Sequence, residues 1–122
     1  MSQQSNWRIE FFVDKQGRSP VEEFLNDLPV KERAKAERLI QLLRQHGHKL
    51  ELFGGSQVKA LKGHKPLKEL RPVPNRVIYF IYENERIILL HGFKKKSNKT
   101  PQREIKKAES RMDQFLDRQR KG

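Results

Sequence analysis

The 122-residue chain predicts an α+β fold: a small antiparallel sheet of four to five strands packed by an N-terminal helix pair and a C-terminal helix. Three observations point to it. Apolar residues recur at helical spacing only towards the two ends, over residues 21–43 and 105–116. Between these stretches lie short runs of β-branched and aromatic residues, broken by Gly, Pro and Asn. A further such run precedes the first helix, so the order is β-α-α, three or four strands, then α.

Taken in order, Trp7 to Val13 is rich in aromatic and β-branched residues and reads as the first strand. Asp14-Lys15-Gln16-Gly17 turns the chain. Ser19-Pro20-Val21-Glu22 has the form of a capping box with proline at the first helical position. Val21, Phe24, Leu25 and Leu28 then give a short amphipathic helix that stops at Pro29. A second helix is predicted from Val30 to His46, with Ala36, Leu39, Ile40 and Leu43 on one face and Gly47 beyond its end. Gln57 to Leu61 is a short edge strand and Leu67 to Val73 another, broken by Pro72-Val73-Pro74-Asn75. Arg76 to Tyr82 reads as a central strand, Glu83-Asn84-Glu85 as a hairpin turn, and Arg86 to Phe93 as the returning strand. Thr100-Pro101 caps a last helix whose stripe is Ile105, Ala108, Met112, Phe115 and Leu116. Residues 118–122 are expected to fray. The whole, 1–122, reads as one domain.

Composition excludes several classes. There are no cysteines, hence no disulfide framework and no thiolate zinc site. No apolar stretch has the length of a signal peptide or a membrane span, so the expected address is the cytoplasm, with no membrane partner. The net charge of +12 is unevenly placed. Residues 1–55 carry nine basic and eight acidic side chains, and 77–93 one basic and two acidic. Residues 56–76 carry six basic and one acidic, and 94–122 eleven basic and four acidic. The excess therefore lies in two segments joined by a neutral apolar block. If that block is a strand, both segments border one surface, which would attract a phosphate backbone through counterion release. A merely solubilising charge excess is the alternative.

Within Leu67 to Val73, alternation puts Glu69 and Arg71 on one face of a strand, about 7 Å apart. Arg76 opens the next strand and can face the same concavity. Lys94 and Lys95 leave the end of the strand after it. A carboxylate ringed by arginines and lysines suits phosphodiester cleavage without a metal. Cations stabilise charge on the phosphoryl oxygens, and a carboxylate or histidine accepts the proton of the attacking hydroxyl. Glu69, Arg71, Arg76 and Lys95 are thus the candidate catalytic set, and Lys59, Lys62, His91, Lys94, Lys96 and Lys99 the candidate substrate contacts. The structural alternatives are a salt-bridged Glu69 that only orders Arg71, and lysines that are simply solvated. His91 shares the alternation of Ile87, Leu89 and Phe93, so it is either a hydrogen-bonded core or rim histidine or a proton carrier. His64 sits in a loop, where a phosphate or solvent contact is expected, and His46 and His48 flank a helix end. No His, Asp and Glu have metal-ligand spacing, and no nucleotide-binding or nucleophile motif is present, so no metal or cofactor is expected.

Leu67-Lys68-Glu69-Leu70-Arg71, Arg76-Val77-Ile78-Tyr79-Phe80 and the segment from His91-Gly92-Phe93-Lys94-Lys95-Lys96 through Lys99-Thr100-Pro101 resemble the RelE/ParE toxin superfamily. The match is nearest to its phage-derived, HigB-like branch, which carries Glu-Leu-Arg and Phe-x-Lys-Lys…Lys-Thr-Pro, and it covers nearly the whole chain. The resemblance implies a toxin of a type II toxin–antitoxin system that, with the ribosome, cuts mRNA. It also implies a cognate antitoxin, in this branch typically a helix-turn-helix protein. By position, Arg76 matches the arginine that contacts the scissile phosphate, Arg71 a second basic strand residue, and Glu69 a glutamate proposed as general base in one branch. Lys95 falls near the basic residue ending the last strand. The chain departs from the pattern after Phe93: its only later aromatic is Phe115, within an apolar stripe. Proton transfer is thus left to Glu69, to His91 or to no strong base. Two other functions stay open on the same scaffold, a ParE-like gyrase inhibitor and a non-catalytic RNA-binding module.

Overall fold

The computed structural model describes residues 7–83, 85–97 and 99–122. Five strands, β1 (Arg8–Phe11), β2 (Val58–Ala60), β3 (Lys68–Leu70), β4 (Asn75–Tyr82) and β5 (Arg86–Lys94), form one sheet in the order β1-β5-β4-β3-β2. The helices are α1 (Pro20–Asn26), α2 (Val30–His46), a one-turn α3 (Leu50–Phe53) and α4 (Gln102–Lys121). The α+β class, the strand set and the flanking helices follow the prediction.

Three features differ from the expectation. First, β2 to β5 pair antiparallel but β1 joins β5 in parallel, so the sheet is mixed. The helix pair between β1 and the rest carries the chain back to its starting side, as a parallel partner requires. Second, short helical turns occupy Gly47–Phe53 and Gly55–Gln57, where the four residues of α3 are too few to show a period. Third, α4 is helical beyond residue 118, as far as Lys121. Its last turns are held: the Arg118 guanidinium lies 5.3 Å from the Phe12 ring, and Lys121 pairs with Asp117 at 3.2 Å. The predicted turn includes Asn84, which lies outside the described residues.

Each face of the sheet buries its own cluster. On one, Val21, Leu25, Ala36, Leu39, Leu43 and Leu50 pack on Val58, Leu70, Val77, Tyr79, Ile87 and Leu89. On the other, Ile105, Ala108 and Phe115 of α4 pack on Leu61, Leu67, Ile78, Phe80, Ile88, Leu90 and Phe93. Helices thus cover both faces, which leaves the edges of the sheet and the margins of the helices open. Each buried Leu, Ile or Phe contributes about 1.5–3 kcal/mol of transfer free energy, which makes both layers necessary for so small a domain. Two glycines mark close approaches. A Cβ on Gly92 would stand 2.5 Å from the Phe24 ring, and Gly47, at φ +56°, lies flat against Trp7.

The strand alternation holds except at one point. Ile78 pairs with His91 but Tyr79 with Leu89, so Leu90 is an extra residue in β5. Ile87 and Leu89 face the helix pair, whereas His91 and Phe93 face α4 with Ile88 and Leu90. A bulge of this kind cannot be read from apolar alternation, because the run Ile87-Ile88-Leu89-Leu90 that leads into it is apolar throughout.

Candidate active site

β3 and β4 form an antiparallel pair whose Glu69 and Arg76 both point to the α4 side, with Arg71 just past the end of β3. Glu69 is fully buried and Arg76 is 3% exposed. Oε1 of Glu69 accepts from Nη1 of Arg76 at 2.8 Å and from Nε of Arg71 at 3.2 Å. Oε2 accepts from the Thr100 hydroxyl at 2.8 Å. Both carboxylate oxygens are therefore engaged, and an ion so deeply buried is tolerable only with such pairing. Nε of Arg76 is buried without a partner. One carboxylate between two guanidiniums leaves the set one positive charge in excess and one hydrogen bond short.

Beside this cluster opens a cavity of about 710 Å³ between the β2–β3 loop and the start of α4. Lys59, Lys62, His64, Lys65, Arg71 and Lys99 line it, with Thr100, Gln102 and Ile105 at the base of α4. Arg71 is the link, since it touches buried Glu69 and reaches the cavity wall. Pro101 is the N-cap of α4 and no side chain caps the helix, so its leading N–H groups and dipole add to the positive potential at this end. Thr100, expected to cap, instead gives its hydroxyl to Glu69. An anion in the cavity would meet four lysines, a guanidinium fork and a helix N-terminus, a setting suited to phosphate.

The predicted residues divide accordingly. Glu69, Arg71 and Arg76 come together, and Lys59, Lys62 and Lys99 line the adjoining cavity. Lys95 is half-buried with its N–H bonded to Pro74 O, and Lys96 is exposed, and neither lines the cavity. Lys94 points the other way, 3.8 Å from Glu32 of α2, because strand alternation reverses its side relative to Phe93. His91 also departs from its expected place among the substrate contacts. Its Nε2–H donates to Glu104 at 2.5 Å and its Nδ1 accepts from Nη1 of Arg111 at 3.1 Å. Burial, with Arg111 and Lys107 nearby, pushes its pKa down despite Glu104, so the ring is neutral and has no free nitrogen. His91 thus holds α4 to β5.

Sequence reasoning missed Thr100 and Glu109 and undervalued His64. Thr100 had a signal, since a hydroxyl after Lys99 would share the surface of the basic segment. Glu109 had none, as its partner His64 lies 45 residues away. Among the described residues no three His, Cys, Asp or Glu side chains gather as a metal site, and no helix is long and apolar enough to cross a membrane.

The sheet with a helix pair on one face and a terminal helix on the other defines a protein of the RelE fold. It is similar to the archaeal RelE of the RelE–RelB complex from Pyrococcus horikoshii OT3, with a TM-score of 0.54 and 22% identity over 78% of this chain and 100% of that one. Residues 23–113 match the model of the family described as Phage derived protein Gp49-like (DUF891), and the chain belongs to that family. No curated protein matches it. The resemblance to the RelE/ParE superfamily is thus borne out in family and fold.

Proposed function

We propose that this protein is the toxin of a type II toxin–antitoxin pair and acts as a ribosome-dependent mRNA endonuclease. The observation that carries this reading is Arg71, fixed by buried Glu69 and presented to a cavity walled by Lys59, Lys62, Lys65 and Lys99. A phosphodiester held there gains a fork of donors oriented before the substrate arrives, which is how a protein stabilises the charge that grows on phosphoryl oxygens. The ribose 2′-hydroxyl attacks the adjacent phosphorus and the 5′-oxygen leaves. Glu69, with both oxygens engaged, positions Arg71 rather than taking the proton, and Arg76 supports Glu69 from behind.

The family and the RelE fold support the toxin assignment. That neighbour was solved with RelB, which favours a neutralising antitoxin here too, and the branch resemblance favours one with a helix-turn-helix domain. The ribosome places the action in the cytoplasm. Lys96, exposed beyond the end of β5, is the lysine of this segment best placed to meet ribosomal RNA. The reading is tested by expressing the protein, mapping mRNA 5′ ends and measuring gyrase supercoiling in parallel. New 5′ ends within translated codons with normal supercoiling support it. Lost supercoiling with intact mRNA would replace it by gyrase inhibition, and RNA binding without either effect by a non-catalytic module.

A further inference from the structure

We infer that His64, oriented by Glu109, is the group that takes the proton from the attacking 2′-hydroxyl. This rests on the nuclease reading above. Nδ1 of His64 lies 2.9 Å from Oε2 of Glu109, and the ring lines the basic cavity with Lys59, Lys62, Lys65, Arg71 and Lys99. A carboxylate only accepts, so Nδ1 carries the hydrogen, and in the neutral ring Nε2 is the acceptor nitrogen. A carboxylate that fixes the tautomer and angle of an imidazole is the arrangement by which a histidine becomes an effective general base.

The other candidates are closed. Both oxygens of Glu69 accept hydrogen bonds, and both nitrogens of His91 are engaged. His46 packs edge-on against Phe53 with ring centroids 4.8 Å apart, and His48 against Trp7 at 5.3 Å, on the side of α2 and α3. Of the four histidines, only His64 lines the cavity.

Its loop is also held in place. The His64 N–H donates to Leu61 O at 3.0 Å and the Leu67 N–H to His64 O at 2.8 Å, with Gly63 at φ +78° making the turn. Glu109 follows buried Ala108 on α4 and so stands on a fixed element. The side chains keep 23% and 40% of their exposure, so the ring is placed yet reachable.

In the step this implies, the 2′-oxygen bonds to phosphorus as its proton passes to Nε2 of His64. The bond from phosphorus to the 5′-oxygen breaks and that oxygen takes a proton from water. The products are a 2′,3′-cyclic phosphate and a 5′-hydroxyl, and His64 returns its proton to solvent. The bland alternative is a tether between the β2–β3 loop and α4.

The test uses the full-length protein with ribosomes programmed with mRNA and reads cleavage rate by primer extension. His64→Ala should lose about 10²-fold or more in rate, the usual worth of a general base, and recover part of it in added imidazole. His64→Gln can still donate to Glu109 and keep the tether, but has no basic nitrogen, so it should lose rate without losing melting temperature. Glu109→Gln should show a smaller loss. Wild-type rates in either His64 variant would overturn the proposal while leaving the nuclease reading intact. So would a loss in His64→Ala that imidazole does not restore while His64→Gln stays active. A wild-type protein that cuts no mRNA would overturn both, and is told apart by its own inactivity.

Discussion

Arg76 on β4 reaches across to Glu69 on β3, setting Nη1 2.8 Å from Oε1, and both side chains are buried. Removing the carboxylate would leave two guanidiniums facing each other without compensation. Glu69→Ala is therefore expected to cost about 3–5 kcal/mol, as for other broken buried pairs, measured by urea unfolding. An accessible general base would show little change.

Arg71 and Arg76 should separate in their effects. Arg76 is sealed behind Glu69, so Arg76→Ala lowers stability first and activity as a consequence. Arg71 is partly exposed at the cavity wall, so Arg71→Ala should lower cleavage by about 10² or more, the scale of one lost charge-stabilising donor. Melting temperature and steady-state cleavage, measured on both variants, give the comparison.

The lysines predict an asymmetric salt response. Lys59, Lys62 and Lys99 line the cavity, whereas Lys94 lies beside Glu32. Each of the first three, changed to Ala, should reduce the slope of log affinity for RNA against log salt by about 1. Lys94→Ala should leave that slope unchanged. Titrations of a short RNA at several salt concentrations test this.

His91 should impose a pH dependence on stability. Burial lowers its folded pKa below the unfolded value, so the unfolded chain binds the extra proton. Its contribution is fully present above the ordinary histidine range, near pH 6.5, and is lost as pH falls from there towards the folded pKa. Glu104, Arg111 and Lys107 set that value. Melting temperatures between neutral and mildly acid pH should fall less steeply in His91→Gln than in the wild type.

Gly47 packs against Trp7, the only tryptophan. Gly47→Ala adds a methyl group where the ring stands and also strains a positive φ. It should destabilise by about 1–3 kcal/mol, the usual scale of overpacking, and shift tryptophan fluorescence.

Much of this was legible in the sequence. Helix α2 begins and ends where Pro29 and Gly47 say it should, because those residues act locally. The pairing of Glu69 with Arg71 follows from strand alternation alone. Arg76 joined them because a short connection returns the chain in antiparallel register. What escaped depends on partners distant in sequence. The Leu90 bulge moved His91 to the α4 face, and the parallel docking of β1 needed the helix pair to be placed first. Thr100 and Ser19 show the limit of cap motifs. Thr100 gives its hydroxyl to Glu69, and Ser19 makes no side-chain cap bond.

The chemical ends of cleaved mRNA test the central claim most directly. Ribosomes loaded with a defined mRNA are treated with the protein and the fragments are sequenced with their termini identified. A 2′,3′-cyclic phosphate on the upstream fragment and a 5′-hydroxyl on the downstream one is the outcome expected from 2′-hydroxyl attack in the cavity at Arg71. Fragments bearing 5′-phosphate and 3′-hydroxyl ends, or mRNA left whole, would contradict it.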